Sequence, residues 1–179
     1  MRMDTQTHSL ADPSGYCRAS SLDDPDWSAG AWESDYRTRL VRQRERSDCG
    51  VACLAMVAGI DYLEALDTFE GLGYADKKSR LATNFSELAA ALSRHGLAAR
   101  LKRWRGWDEF SGLGILKTRA SDWSSHGPWH WVVAESQPSC GYLVRDPSSP
   151  LAALERPPLW VCYRNLEHTV ISGCWLQVS

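Results

Sequence analysis

The sequence predicts an α+β domain, with helices early in the chain packed beside a largely antiparallel sheet formed by its later segments. Three observations carry this. Helical patterns are confined to residues 47–96. Short β-branched and aromatic runs, separated by Gly, Pro and Ser, fill the chain from residue 97 onward. Between two of those runs, "SQPSCG" has the length of a hairpin connection, which pairs neighbours antiparallel. Helices first and strands afterwards give helices on one side of a sheet rather than alternating βαβ units.

The first helix is expected to start at Ser47 or Asp48, both good N-cap residues, and to run through small and apolar residues to Ala58 before Gly59 stops it. "DYLEALDTFEGLG" predicts a second helix with Leu63, Leu66 and Phe69 on its buried side. The third has the clearest signals. Thr83 or Asn84 caps it, Glu87 fits a capping box with Asn84, and Phe85, Leu88, Ala89 and Leu92 form a stripe that ends at Gly96. Strands are expected at "LAARLKRW", "GILKTR", "HWVVAE", "YLVRD", "LWVCYR" and "TVISGCWLQV".

Composition narrows the function. At 179 residues the chain holds one domain with a sizeable core plus an extension. A net charge of −2 argues against nucleic-acid binding, and no apolar run is long enough for membrane insertion. The start, "MRMDTQTHSLADPSG", lacks the apolar centre of a secretory signal, so a cytoplasmic protein, or one exported by a specialised secretion system, is expected. Residues 1–38 are rich in Asp, Ser, Gly and Pro without a period. They read as an acidic leader, a solvated tail more simply than a propeptide or docking segment; the ordered domain is expected over 39–179. Six scattered cysteines, Cys17, Cys49, Cys53, Cys140, Cys162 and Cys174, read as thiols rather than a disulfide framework. Nine tryptophans are mainly packing residues, although Trp104, Trp107, Trp129 and Trp131 are placed to wall a cleft.

From position alone Cys49 reads more simply as a buried core cysteine than as a nucleophile, but its place has chemical consequences. In the first turn of a helix its sulfur lies near unpaired backbone N–H groups and the positive end of the macrodipole, which favours the thiolate. Its small neighbours Gly50 and Ala52 would admit a substrate backbone. His130 opens a strand, on the same face as Val132 and Ala134; a lone strand histidine is more often structural, yet one at a strand's mouth facing a helix start is how distant segments form a thiolate–imidazolium pair. His8 lies in the leader, and His95 reads as a helix C-terminal residue. Asp146, in "LVRDPSSP", ends the strand expected beside that of His130 and is placed to accept the ring's other N–H. The amide of Gln43, six residues before Cys49, is a candidate oxyanion donor.

The segment "QRERSDCGVACLAMVAG", followed by "HWVV" and then "DP", resembles the bacteriocin-processing, double-glycine cysteine peptidases, a papain-like family. The family's first motif is met by Gln43, Asp48, Cys49, Gly50, Ala52 and Met56, its histidine motif by His130 to Val133, and its Asp-Pro by Asp146 and Pro147. The resemblance implies a papain-like fold and a metal-independent, cofactor-free cysteine endopeptidase acting on a peptide or protein after small residues such as Gly-Gly. Cys49 would be the nucleophile, His130 the base and acid, Asp146 the orienting residue and Gln43 the oxyanion donor. The role is either leader-peptide processing or that of a delivered interbacterial toxin, the latter with an inhibitory or immunity protein as partner. Many relatives are N-terminal domains of peptide-exporting transporters; this chain carries no P-loop motif.

Other readings compete. Cys49, Cys53, His126 and His130 have the residue types of a zinc site, but Gly127 and Pro128 break any helix carrying the two histidines. Cys53, one turn beyond Cys49, is more simply core. Acyl transfer, transamidation and deamidation share the acyl-enzyme with hydrolysis. A non-catalytic module that binds a leader peptide would have no chemical need for Gln43, Cys49, His130 and Asp146 together.

Overall fold

The computed structural model describes residues 37–74, 81–118, 129–137, 141–148 and 170–179. Three helices, α1 (Cys49–Ala58), α2 (Tyr62–Gly71) and α3 (Phe85–Arg94), precede the strands β1 (Ala99–Arg103), β2 (Leu113–Thr118), β3 (His130–Gln137), β4 (Gly141–Arg145) and β5 (Val170–Val178). The sheet order is β1-β5-β2-β3-β4, and every neighbouring pair is antiparallel. The expected α+β architecture and the β3–β4 hairpin are therefore present. The strand expected at "LWVCYR", and His8, His126, His168, Cys17, Cys140 and Cys162, lie outside the described residues.

α1 is apolar on all sides, as a helix must be when both flanks are covered. Cys49 through Val57 are all buried, against α2 and α3 on one flank and the sheet on the other. Gly59 ends it with φ of 69°, a left-handed conformation that glycine adopts without strain. The chain then turns sharply, by 113°, into α2, whose cap Asp61 accepts from the Glu64 amide. On α2, Phe69 is buried and Leu66 packs against the core as expected, but Leu63 is not on the buried side. Tyr62, Ala65 and Phe69 face the core, whereas Leu63 is 53% exposed. The spacing of three and four fits either set, and the Tyr62 hydroxyl, which bonds Asp48, selects the phase. In α3 the capping box of Asn84 and Glu87 forms as expected, and Leu88, Ala91 and Leu92 are buried.

The two faces of the sheet are covered differently. Ile115, Trp131, Val133, Leu176 and Val178 face the helices. On the far face Leu116, Val132, Ala134, Val144 and Trp175 pack against Trp107 and Phe110, in and beside a short 3₁₀ turn (Trp107–Glu109), with Trp104 and Tyr142 at the edge. Gly114 makes that packing feasible: a Cβ there would lie 2.4 Å from two ring carbons of Trp175. Trp104 and Trp107 are thus packing residues of the far face, and Trp131 belongs to the helix-side core.

The segment leading into α1 is fastened to β3 and β4. The buried Glu135 carboxylate accepts from the amides of Arg37 (2.8 Å) and Thr38 (3.1 Å) and from the Thr38 hydroxyl (2.9 Å). That hydroxyl in turn accepts from Arg145 Nε at 3.3 Å. These bonds satisfy a carboxylate that burial would otherwise leave costly. Five residues further on, the Gln43 amide donates to the Pro147 carbonyl at 3.1 Å. No single helix among the described residues is long and apolar enough to cross a membrane.

Candidate active site

Cys49 opens α1 as expected, but the turn before it works differently from a simple N-cap. Asp48 occupies the cap position, with φ of −99° and ψ of 19°, and its side chain makes no hydrogen bond to the helix. Its Oδ2 instead accepts from the Arg44 and Glu45 amides, at 3.0 and 2.9 Å, and from the Tyr62 hydroxyl. Asp48 thereby folds the 43–48 loop back on itself. The first turn of α1 keeps its positive end free of that carboxylate's capping bond.

Gly50 has a structural task. A Cβ there would fall 2.0 Å from the Thr83 hydroxyl, so Thr83 packs directly onto the first turn of α1. Ala52 is fully buried. The small residues beside Cys49 therefore serve packing, not the approach of a substrate backbone. Thr83 in turn ties α1 to β3. Its carbonyl accepts from Trp131 Nε1 at 3.1 Å, and the Trp131 ring stacks edge-on with Phe85, centroids 4.9 Å apart.

His130, one residue before Trp131, is 3% exposed. Strand alternation assigns it to the face of Val132 and Ala134, away from the helices. As the first residue of β3 it lies at the sheet's end, and there its ring hydrogen-bonds the Cys49 side chain. The second partner is Asp146, whose Oδ1 lies 2.6 Å from His130 Nε2. With Nε2 so engaged, Nδ1 is the nitrogen left for the sulfur. The same Oδ1 accepts from the amide and hydroxyl of Ser148, both at 2.8 Å.

The electrostatics follow from these contacts. Burial alone would lower the pKa of His130. The hydrogen bonds to Asp146 and Cys49 and the negative charge of both outweigh it and raise the value from 6.5 to about 10. Burial would raise the pKa of Asp146, but the hydrogen bond and positive charge of His130, with the two bonds from Ser148, hold it below the ordinary 3.8. Asp146 is thus a carboxylate and His130 an imidazolium at neutral pH, donating from Nε2. One turn into α1, Cys53 is fully buried. Desolvation, then the charges of Cys49 and Asp146, push its thiol pKa well above the usual value.

Gln43 stands apart from the other three expected site residues. Its Nε2 donates to the Glu45 carbonyl at 2.9 Å, and its Oε1 is buried without a hydrogen-bond partner. Its backbone, through the bond to Pro147, lies beside the Asp146 turn. Sequence reasoning missed Ser148, Tyr62 and Thr83. Ser148 had a local signal, since a serine two residues after aspartate makes an Asx-type turn. Tyr62 and Thr83 act through tertiary contacts that no local pattern encodes. Among the described residues no three His, Cys, Asp or Glu side chains are grouped to hold a metal ion. His95 caps the end of α3, as expected, with its Nε2 2.9 Å from the Thr68 hydroxyl.

The family model of the peptidase C39 family matches residues 37–166. A search of the curated proteins found no match. Among solved structures, the peptidase domain of Streptococcus ComA, a bi-functional ABC transporter involved in quorum sensing, is similar with a TM-score of 0.52 at 18% identity, covering 80% of this chain and 98% of that domain. The peptidase domain of Streptococcus mutans ComA gives 0.48 at 17% identity, covering 80% and 99%. A double-glycine motif protease from an AMS/PCAT transporter, in complex with the leader peptide, gives 0.47 at 18%, covering 79% and 90%.

Proposed function

Because the chain belongs to the peptidase C39 family and so is a papain-like cysteine peptidase, we propose that it processes leader peptides, with Cys49 as nucleophile and cleavage after Gly-Gly. The observation that carries the assignment of roles is the position of His130, hydrogen-bonded at once to Cys49 and Asp146. In the proposed reaction the Cys49 thiolate attacks the peptide carbonyl and forms an S–C bond. The tetrahedral oxyanion then collapses with cleavage of the C–N bond, and His130 passes its Nδ1 proton to the leaving amine. Neutral His130 next removes a proton from water, whose oxygen attacks the thioester and releases the acid and the thiolate. Asp146 holds the ring by Nε2 throughout, so Nδ1 faces the sulfur.

In this reading Gln43 and the Cys49 N–H receive the oxyanion. The Gln43 side-chain amide would then exchange the Glu45 carbonyl for the substrate oxygen. The limited exposure of Cys49, 6%, supports a substrate without side chains at the residues before the cut. Processing is preferred over a delivered-toxin role because the family match spans the site; the toxin role would add an immunity protein as partner.

The test is mass-spectrometric. Wild type and Cys49→Ala are incubated with peptides containing Gly-Gly, with and without a thiol alkylator. New termini after glycine made only by the unblocked wild type are expected, with turnover lost by at least about 10⁴-fold in the variant. Acyl transfer would add the mass of an amine acceptor at the cut instead of water. Cys53 serves as an internal reference thiol. Absence of cleavage together with alkylation of Cys49 no faster than Cys53 would overturn the assignment.

A further inference from the structure

We propose that the acidic segment of residues 22–36 docks within its own chain, in a basic cleft on the sheet face opposite the helices. The cleft, about 330 Å³, is lined by Lys102, Arg103, Arg105, Glu109, Trp175 and Gln177 together with the backbone at Gly106 and Ser111. Three cations therefore face one carboxylate. That carboxylate, Glu109, pairs with Arg105 at 3.6 Å on a side where both side chains are 60% exposed, a loose pair that screening weakens. β1 is an edge strand, and Arg100 to Arg103 are exposed along it. The largely buried ring of Trp175 closes the floor.

The occupant follows from charge and tether. Residues 22–36, "LDDPDWSAGAWESDY", carry Asp23, Asp24, Asp26, Glu33 and Asp35 with no Lys or Arg, and two tryptophans suited to lie against guanidinium groups. Residue 37 fixes where that segment joins the fold, with its amide on Glu135. The next residue of β3, Ser136, exchanges hydrogen bonds with Gly112 at 2.8 and 2.6 Å, and Ser111 beside it lines the cleft. Glu135 shares the helix-side face of β3 with Trp131 and Val133, so the segment joins the fold on that face and passes round the end of the sheet to reach the cleft. Fifteen residues reach up to about 50 Å, more than enough. A tether of this length supplies an effective concentration in the millimolar range, ahead of anions free in solution. The docked segment lies on the face away from the helices and Cys49, so it leaves the nucleophile open.

The test is zero-length carbodiimide cross-linking of the full chain, read by peptide mass spectrometry on a mixture of light and heavy isotope-labelled protein. Within one chain, Lys102 is expected to join to Asp23, Asp24, Asp26, Glu33 or Asp35. The yield should fall several-fold in about 1 M NaCl, where the Debye length is about 3 Å. It should fall similarly in an Arg103→Glu, Arg105→Glu variant that keeps Lys102 as reporter and whose circular dichroism matches wild type. The proposal is overturned by equal linkage to Lys77, Lys78 and Lys117, or by no leader linkage to Lys102. Links only between light and heavy chains would also overturn it, in favour of a second copy as occupant.

Discussion

The two faces of the sheet solve the same burial problem with different materials. On the helix side, aliphatic residues of α1 and α3 interlock with Ile115, Val133 and Leu176, and the packing ends at Cys49. On the far side an aromatic patch, Trp107, Phe110 and Trp175, is laid over the strands by a short turn. The first arrangement is continuous through three helices and sets where a sulfur meets an imidazole. The second is local, holds strand register through Gly114, and leaves charged side chains around its rim. Shape precision matters on one side and area on the other.

That contrast is open to attack. Phe110, 4% exposed and in ring contact with Trp104, Trp107, Tyr142 and Trp175, is the centre of the far patch. Phe110→Ala is expected to cost about 3–5 kcal/mol in denaturant unfolding. The surviving folded protein should keep its kcat/KM, measured at low temperature; a matching loss of activity would show that the faces are coupled. Gly50→Ala tests the helix side. Pressing on Thr83 should shift the first turn of α1 and lower kcat/KM by about 100-fold, a magnitude that a displacement near 1 Å produces. Thr83→Ala in the same chain should restore part of it, since the removed hydroxyl has no hydrogen-bond partner to lose.

Asp146→Asn should have a smaller effect, lowering kcat/KM roughly tenfold, part of what general acid–base catalysis supplies. It also tests the electrostatics. The pKa of His130 is raised in the fold, so its stabilisation is complete below pH 6.5 and is lost as pH rises through about 10. That of Asp146 is depressed, so its stabilisation is present above pH 3.8 and is lost as pH falls through the lowered value. Urea midpoints of the wild type should therefore decline from pH 6.5 towards 10, and the Asn variant should flatten that decline. Smallest is Asn84→Ala, which removes half of the α3 capping box and should cost about 1 kcal/mol without a change in kcat/KM.

Much of this was readable from residues alone where the signal is local. Asn84 and Glu87 announced α3, Gly59 announced the end of α1, and alternation in "HWVVAE" announced β3. The resemblance carried by the motifs around Cys49, His130 and Asp146 implied three side chains that do meet. What escaped depends on the third dimension. Leu63 and Tyr62 are equally good candidates for a buried side of α2 until Asp48 is known to bond the tyrosine hydroxyl. Gly50 looked like an open approach because its neighbour Thr83 is distant in sequence. Asp48 looked like a cap, because a carboxylate before a helix is usually one; here two amides behind it compete successfully.

One backbone hydrogen bond, from the Gln43 amide to the Pro147 carbonyl, joins the loop before Cys49 to the turn after Asp146. Opening at either end must break it, so its proton is a clock for the assembly of the whole site. In native-state hydrogen exchange the backbone amide of Gln43 should slow or quicken whenever the segments carrying Cys49, His130 or Asp146 are perturbed, and so report the site's local opening free energy in a single resonance.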